Sequence, residues 1–287
     1  MAAGMAAVGH GIQHAQAGGV LTMAVCKGSC HDQAMGNNFP SCEEIKAILF
    51  DVDGTITDSD PLHFQAFKEI FEQGWAEWGQ AGFNNGEPMT KEFFLTQISG
   101  KLNSVITAEQ FPHLDESARE KITEEKEARY RSLAKEHTSE IAGLSKFIEW
   151  IKERGLRRAA VSNSPRDNVE QVISALGLDE FFELVVIGHE CERPKPFPDP
   201  YLKALRFFGV SPEQALIFED SPAGTKAGAA AGVAVVGLTT GHPEGTLRTA
   251  GATLIIKSYE DPALWEKLQG ETNSSAKNKT IPDAISQ

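Results

Sequence analysis

The stretch IKAILFDVDGT at residues 45–55 joins a short, mostly apolar run to two closely spaced carboxylates. Runs this short and apolar are typical of parallel strands that are buried on both faces. Asp51 and Asp53 follow the run directly, and Gly54 lets the chain turn sharply away from the strand. Functional residues in open α/β sheets gather beyond the carboxyl ends of the strands, so this stretch predicts both a sheet and a site.

The chain after this motif alternates short apolar runs with helical stretches. Further strands are predicted at 158–162, 184–187, 215–218, 233–238 and 253–256, and helices at 144–152, 165–176, 198–208 and 222–231. Ser164-Pro165 and Ser221-Pro222 each fit an N-cap serine followed by proline at the first helical position. The alternation predicts an α/β fold, a Rossmann-like parallel sheet with helices on both faces.

Residues 64–140 interrupt this alternation, because they contain no convincing strand. Residues 115–137 predict one long helix, whose many charges, spaced for i,i+4 pairs, indicate a solvated face. We therefore expect a small all-helical cap domain at 64–140, inserted into a core formed by 44–63 and 141–269. Nothing in the sequence assigns a role to the Trp75/Trp78 segment within it.

Both ends of the chain differ in composition from the part between them. Residues 1–43 are rich in Gly, Ala, His, Gln and Met, and Lys27 is their only Lys or Arg. They lack the basic start and the continuous apolar run of a secretory signal, so we expect a disordered extension. Their low acidic content leaves an organelle address open as an alternative. Residues 270–287 are polar and are also expected to be disordered.

The overall charge and the cysteines limit the classes of partner and compartment. Lys plus Arg is 27 and Asp plus Glu is 40, which gives a formal net charge of −13. An acidic surface repels nucleic acid and anionic membranes, so we expect neither as a partner, and no apolar run approaches transmembrane length. The four cysteines form no CxxC pair, which favours a reduced intracellular protein over a zinc site. We expect a cytoplasmic monomer.

A second acidic pair follows a later predicted strand. Glu219-Asp220 come directly after the strand at 215–218, as Asp51 and Asp53 follow the first strand. By itself such a pair is as often a helix cap. Like charges gathered at one sheet edge raise a pKa or require a cation, and Mg²⁺ prefers oxygen ligands.

Groups that suit a phosphoryl oxygen follow two other predicted elements. Ser162-Asn163 end the strand at 158–162, where a hydroxyl and local amides can bind an oxyanion, although taken alone they are better explained as a helix-start turn. Lys195 stands between two prolines that hold it in an extended loop, where an ammonium could neutralise phosphate. A lone loop lysine is usually just solvated, so these residues carry weight only together with the carboxylates.

Taken in chain order, the DxDGT motif at 51–55, the strand-end Ser162, the loop Lys195 and the EDSPAG phrase at 219–224 resemble the haloacid dehalogenase superfamily. The likeness runs from about residue 45 to residue 268. The sequence is similar to the branch of this superfamily that has a helical cap after the first strand. That branch includes beta-phosphoglucomutase and broad sugar-phosphate phosphatases. Within that branch, plant-type small sugar- and glycerol-phosphate phosphatases are the closest likeness.

The resemblance implies an Mg²⁺-dependent phosphatase that hydrolyses a small phosphorylated metabolite, a sugar or polyol phosphate, through an aspartyl-phosphate. Asp51 would be the nucleophile and Asp53 the general acid and base. The implied metal ligands are Asp51, Asp53, Glu219 and Asp220; the implied phosphate-binding residues are Ser162, Asn163 and Lys195; and the candidates for contacting the leaving group are His63, Lys101 and Asn103. The cap would open and close through joints near Leu62 and Ile141.

Three alternatives stand beside this interpretation. A dehalogenase needs neither a metal nor an acid at the Asp53 position, so the carboxylates argue against it. A phosphosugar mutase of the beta-phosphoglucomutase type would hold a second phosphate with a cap arginine, and Asn103 stands at that place, although Lys101 could compensate. A catalytically inactive metabolite-binding protein would lack one of the motif residues, and all are present.

Overall fold

The computed structural model describes residues 39–73 and 87–269 of the chain. The predictions that lie outside these ranges concern the extension up to residue 38 with Cys26 and Cys30, the Trp75/Trp78 segment and the tail at 270–287. Phe39 and Cys42, which belong to the predicted extension, pack against the main apolar core.

Six parallel strands form a sheet in the order β3-β2-β1-β4-β5-β6. The predicted α/β fold is confirmed; β3 has the predicted bounds, and the ends of the other strands differ from the predicted ones by at most two residues. The strands are β1 Ala47–Phe50, β2 Arg157–Ser162, β3 Leu184–Ile187, β4 Ala215–Glu219, β5 Ala234–Leu238 and β6 Leu254–Ile256.

Strand β1 supplies side chains to both faces of the sheet. Ile48 and Phe50 belong to the larger apolar cluster, and Ala47 and Leu49 belong to the cluster on the opposite face. All four residues are buried, and successive side chains of a strand point to opposite faces. The apolar run that precedes Asp51 is therefore explained by burial on both sides.

Residues 60–73 and 87–137, which lie between β1 and β2, contain helices and no strand, and we call this part the helical insert. Its own apolar cluster includes Phe67, Phe94 and Ile122. The helices are α1 Asp60–Gln73, α2 Lys91–Phe93 continued by a π-helix at Phe94–Ile98, α3 Asn103–Gln110 and α4 Glu116–His137. The long helix predicted at 115–137 is confirmed, with Asp115 as its N-cap.

Further helices follow the strands and cover the sheet on both sides. Side chains of α5, α6 and α10 join the larger apolar cluster, and those of α7 and α8 join the opposite one. The bounds are α5 Leu144–Glu153, α6 Arg166–Ala175, α7 Asp199–Phe208, α8 Pro222–Ala230, α9 Glu244–Ala250 and α10 Pro262–Gln269.

The register of the central strands brings the predicted site to one edge of the sheet. Phe50 of β1 pairs with Ala160 of β2 and with Phe218 of β4. Asp51 and Glu219 therefore leave neighbouring strands side by side. This is the sheet edge at which open α/β folds place their ligands.

Of the two Ser-Pro pairs, only the second places its serine at a helix N-cap. Ser221 caps α8 as predicted, since its hydroxyl accepts a hydrogen bond from the Gly224 amide at 3.0 Å. The prediction that Ser164 caps α6 is wrong, because Pro165 is the N-cap and Ser164 donates its hydroxyl to Asp53 Oδ2 at 2.5 Å. A hydrogen bond to a carboxylate is stronger than one between neutral groups, which explains why the Ser164 hydroxyl binds Asp53 and does not cap α6.

Across residues 39–73 and 87–269, none of the helices has both the length and the apolar character that a bilayer span requires.

Phe147 tests the core beneath the site. Its ring is fully buried and lies 4.8 Å from the ring of Phe218 and 5.2 Å from that of Tyr259. We expect Phe147→Ala to lower the free energy of unfolding by about 3–5 kcal/mol, measured by urea titration, because it leaves a cavity. Phe207→Ala removes a ring that is 56% exposed and should cost less than about 0.5 kcal/mol. Equal losses in the two variants would contradict this packing.

Candidate active site

A buried lysine lies between two carboxylates at the centre of the site. Lys195 Nζ donates to Asp51 Oδ1 at 2.7 Å, to Glu219 Oε1 at 2.6 Å and to the Val161 carbonyl at 2.7 Å. All three ammonium hydrogens are thus satisfied inside the protein. Burial works to lower the pKa of Lys195, but the charges of Asp51 and Glu219 outweigh it and raise that pKa. The lysine is therefore held as a cation.

Glu219 receives hydrogen bonds from the protein at both carboxylate oxygens. Besides Lys195, the Tyr201 hydroxyl donates to Oε1 at 2.8 Å, and the amide and hydroxyl of Ser221 donate to Oε2 at 3.1 and 3.0 Å. A Cβ on Gly224 would lie 1.6 Å from Glu219 Oε1, so this close approach depends on glycine. The family resemblance implies that Glu219 is a metal ligand. In the structure its carboxylate accepts a hydrogen bond from Lys195 and therefore orients that side chain.

Asp220 has the opposite environment. It is 4% exposed, yet no group in residues 39–73 or 87–269 donates a hydrogen bond to its carboxylate. A Cβ on Gly54, whose φ is +72°, would lie 2.1 Å from Asp220 Oδ2. Single carboxylate oxygens of Asp51, Glu219 and Asp220 all lie within 4.8 Å of one another. A buried carboxylate without donors fits a bound cation, and an all-oxygen donor set suits Mg²⁺.

The carboxylates at this edge repel one another. Burial and the charge of Glu219 raise the pKa of Asp51 to about 8, with Lys195 acting in the opposite direction. Burial and the charge of Asp51 raise the pKa of Asp220 well above its ordinary value. One lysine does not balance these three carboxylates, so the site favours a further positive charge.

Asp53 lies among groups that stabilise its ionised form. Ser59 Oγ donates to Asp53 Oδ1 at 2.7 Å, Ser164 Oγ donates to Oδ2, and His63 Nε2 lies 3.1 Å from Oδ1. Burial works to raise the pKa of Asp53, but the His63 charge and these hydrogen bonds outweigh it and hold the pKa below its usual range. Asp53 is therefore a carboxylate in contact with a group that can exchange a proton with it.

A chain of buried polar contacts continues from His63 into the helical insert. His63 Nδ1 lies 3.1 Å from Lys126 Nζ, and Lys126 donates to Glu127 Oε1 at 2.8 Å. Asn103 Nδ2 donates to the same Glu127 oxygen at 2.5 Å, and Asn168 of α6 donates to Glu127 Oε2. These contacts connect Asp53 in the core with helices α1, α3 and α4.

Ser162 and Asn163 reach the site from the end of β2. One cavity is lined by Asp51 and Asp53 and extends to residues of the helical insert, and Ser162 also lines it. Ser162 is 2% exposed and accepts a hydrogen bond from the Ser164 amide at 2.9 Å. Asn163 binds the main chain of Lys195 on both sides: its Nδ2 donates to the Lys195 carbonyl at 3.1 Å and its Oδ1 accepts from the Lys195 amide at 3.2 Å. The Asn163 side chain thus fixes the position of the lysine.

The three residues predicted to contact the leaving group, His63, Lys101 and Asn103, line this same cavity. Lys101 pairs with Glu109 at 2.8 Å, and its side chain is 32% exposed. The fully buried Glu219 lies behind Lys195 and is absent from the lining. The other predicted residues in the lining are Asp51, Asp53, Ser162, Asn163, Lys195 and Asp220.

Sequence reasoning missed Lys126 and Glu127. The prediction that the charges of α4 form a solvated face is wrong for both, since they are 3% and 4% exposed. A signal for Lys126 existed, because Ile122 and Tyr130 lie four residues to either side of it and share its buried face. Glu127 had no comparable signal, because its donor Asn168 belongs to a helix 41 residues further along the chain.

Comparison with known proteins agrees with this geometry. A family model described as haloacid dehalogenase-like hydrolase matches residues 48–238, which contain the β1 motif, Lys195 and Asp220. The chain belongs to the haloacid dehalogenase-like hydrolase family. The family predicted from the motifs is confirmed, and this hydrolase contains all of the residues that carried the resemblance.

Several relatives of this haloacid dehalogenase-like hydrolase have names or solved structures. A phosphorylated carbohydrates phosphatase of Thermotoga maritima is 27% identical over 222 residues, which cover 75% of this chain and 96% of the relative. Protein CbbY of Rhodobacter capsulatus is 32% identical over 201 residues, which cover 67% and 85%. The crystal structure of CbbY from Rhodobacter sphaeroides in complex with xylulose-(1,5)bisphosphate matches with a TM-score of 0.63 at 27% identity, covering 75% of this chain and 95% of that one.

Gly224→Ala tests the packing of Glu219 beneath Lys195. The new Cβ would overlap Glu219 Oε1, so we expect the free energy of unfolding to fall by about 1–3 kcal/mol in urea titrations. Gly245→Ala in α9 is the matched control, because nothing lies within 4 Å of its new Cβ, and it should gain up to about 1 kcal/mol from helix propensity. A Gly224→Ala protein as stable as the parent would show that Glu219 does not occupy this position.

Proposed function

We propose that this chain is a magnesium-dependent phosphatase that hydrolyses small sugar or polyol phosphates, such as glycerol phosphate or 2-deoxyglucose 6-phosphate, through an aspartyl-phosphate on Asp51. One observation carries the proposal. Asp51 contacts Lys195 Nζ at 2.7 Å and shares its sheet edge with the buried Asp220 carboxylate, which has no donor among the described residues.

The family membership supports the reaction class. The chain is a phosphatase of the haloacid dehalogenase-like hydrolases and acts on phosphorylated small molecules. The name of the Thermotoga maritima relative specifies phosphorylated carbohydrates. That name supports a sugar or polyol ester as the substrate proposed for this chain.

Asp51 is the proposed nucleophile. Its Oδ1 is held by Lys195 and its Oδ2 accepts a hydrogen bond from Thr55 Oγ1 at 3.2 Å, so the carboxylate has a defined orientation. Attack by a carboxylate oxygen on phosphorus forms an aspartyl-phosphate and breaks the bond to the leaving-group oxygen. Water then attacks the same phosphorus, which releases inorganic phosphate and restores Asp51.

Asp53 is the proposed proton donor and acceptor. In the first step it would give a proton to the leaving oxygen, and in the second step it would take one from the attacking water. Its surroundings stabilise the carboxylate, the form that the second step needs. For the first step a proton has to reach Asp53, and His63 Nε2, 3.1 Å from Asp53 Oδ1, is the adjacent source.

Asp51, Asp220 and the main-chain carbonyl of Asp53 are the proposed ligands of Mg²⁺. Glu219 belongs to the same cluster, but its oxygens already accept four hydrogen bonds, so we assign to it the orientation of Lys195. When bound, the cation would neutralise charge on the transferring phosphoryl group. Ser162 is the proposed hydrogen-bond donor to that group from the protein, and Lys195, whose three hydrogens are already engaged, is proposed to act on it through its positive charge.

The mutase alternative has less support. It requires a cationic group in the insert to hold a second phosphate. Asn103 stands at the expected place, and its side chain donates to the carboxylate of Glu127. Asn103 is uncharged and its amide is engaged by Glu127, so it does not supply the cationic group that a mutase would need there.

Asp51→Asn tests the nucleophile. The unmodified protein should release para-nitrophenol from para-nitrophenyl phosphate in the presence of Mg²⁺, and Asp51→Asn should lower the rate at least about 10³-fold, because an amide cannot form the acyl phosphate. Asp58→Asn is the control, since Asp58 is exposed and only seven residues away. No phosphate release from any ester by the unmodified protein would instead favour an inactive metabolite-binding protein.

Asp220→Asn tests the metal site without an activity readout. Millimolar Mg²⁺ should raise the thermal unfolding midpoint of the unmodified protein, because ligand at about 100 times its Kd adds about 2.7 kcal/mol. Asp220→Asn should abolish this shift and should be more stable than the parent in EDTA, because it removes one of the repelling buried charges. Asp179→Asn, an exposed site, should keep the shift. A parent protein that Mg²⁺ does not stabilise would remove the metal from this proposal.

A further inference from the structure

The lysines that line the cavity are already engaged with carboxylates. Lys195 contacts Asp51 and Glu219, and Lys101 at the rim pairs with Glu109 at 2.8 Å. Lys126, in the helical insert, pairs with Glu127 at 2.8 Å. A substrate therefore meets lysines whose charges are already partly or wholly balanced.

Lys126 is enclosed by protein partners. Its Nζ donates to Glu127, lies 3.1 Å from His63 Nδ1 and lies 4.3 Å from the centroid of the Phe67 ring. Because this ammonium is 3% exposed and already paired with Glu127, a second anionic group of a substrate would have to compete with Glu127 for it.

Glu127 remains able to accept one more hydrogen bond. Its oxygens accept from Asn103 and Lys126 on one side and from Asn168 on the other, whereas a carboxylate has about four lone-pair positions. Burial works to raise the pKa of Glu127, but the charges of Lys126 and His63 and the hydrogen bonds outweigh it and lower that pKa. The cavity that Asp51 lines thus also contains a fixed acceptor.

We propose that Glu127 is a specificity-determining residue that restricts the substrates to monophosphates with an uncharged, hydroxyl-bearing leaving group. The inference rests on the proposed phosphatase function and specifies its substrate class. A hydroxyl can donate to the remaining acceptor position of Glu127. A second phosphate or a carboxylate brings anionic oxygens that have no hydrogen to donate to this position, and it would have to draw Lys126 or Asn103 away from Glu127.

The proposed selectivity would distinguish this chain from one of its relatives by the charge of the substrate. The CbbY protein of Rhodobacter sphaeroides was solved with a bisphosphate bound. We expect this chain to discriminate against such compounds, although the two folds match with a TM-score of 0.63. Discrimination would then be set by side chains of the insert and not by the fold.

Two matched pairs of substrates test the proposal on the full-length protein with Mg²⁺. The small pair is sn-glycerol 3-phosphate and 3-phosphoglycerate, in which a hydroxymethyl group is replaced by a carboxylate. The large pair is glucose 6-phosphate and glucose 1,6-bisphosphate. The measurement is the ratio of kcat/KM for the neutral member to kcat/KM for the anionic member of each pair. Three proteins are compared with the parent: Glu127→Gln, Glu127→Asp and the control Glu124→Gln, at an exposed residue of the same helix.

In the parent, at least one pair should give a ratio of about tenfold or more in favour of the neutral member, as expected when the anionic group has no hydrogen to donate to Glu127. Glu127→Gln should lower that ratio at least about tenfold, mainly through a smaller KM for the anionic member, because its amide has no charge. Glu127→Asp and Glu124→Gln should retain the parent ratio. A parent that turns over the anionic members equally well, or a folded Glu127→Gln protein with the parent ratio, would overturn the proposal.

A second variant covers the case in which Glu127→Gln does not fold. Asn103→Lys places a cation beside Glu127 and should lower the KM for the anionic members; an unchanged KM in the folded variant would also overturn the proposal. Failure of this inference is distinguishable from failure of the proposed function. Hydrolysis of neutral monophosphates with unaltered ratios in every variant removes only the role of Glu127, whereas no hydrolysis of any ester by the parent removes both.

Discussion

The enclosure of the Lys195 ammonium by Asp51 and Glu219 is the interaction on which the rest of the site depends. Breaking a buried ion pair by removing one partner leaves an uncompensated charge and costs about 3–5 kcal/mol. The three residues come from the ends of two neighbouring strands and from a loop, so they meet only when the sheet is in register. Other local features follow from this constraint: Asn163 holds the main chain of the lysine, and Gly224 leaves room for the glutamate.

Buried charged side chains of the helical insert also need compensating partners, and this need bears on which ligand groups the cavity can accept. Asp53, Lys126 and Glu127 are each compensated by neighbouring protein groups. Asp220 is the exception among these charged groups, because it lies beside Asp51 without a donor from the described chain. In the proposed function the uncompensated Asp220 takes up a cation, whereas Glu127, whose remaining position is an acceptor, takes a hydroxyl donor in preference to an anion. Residues that line one cavity therefore differ in what they accept, according to the partners that the protein already supplies.

The sequence allowed the prediction of those parts whose structure is determined by a local pattern of residues. Buried parallel strands are short and apolar, so their ends were readable, and with them Asp51, Ser162 and Asp220. Ser164 was misread because its competing partner, Asp53, lies 111 residues away. The helix α4 itself was predictable, but its buried face was not, because most of its charges are solvated and its apolar face is weak. Pairings between helices remote in sequence leave no local pattern, so Lys126 and Glu127 had to come from the structure, whereas His63, Lys101 and Asn103 were expected in the cavity from the resemblance.

The contacts around Glu127 also divide recognition between two parts of the chain. Lys126 and Asn103 bind Glu127 from within the insert, whereas Asn168 binds it from α6 in the core and is itself held by Arg131 Nη1 at 3.1 Å. An insert that swung away from the core would take Glu127 from Asn168, and the acceptor would lose its fixed position. The proposed phosphate-binding residues Ser162 and Lys195 belong to the core and need no such arrangement. Selection by the charge of the leaving group therefore acts only while the insert lies against the core, as it does in this structure.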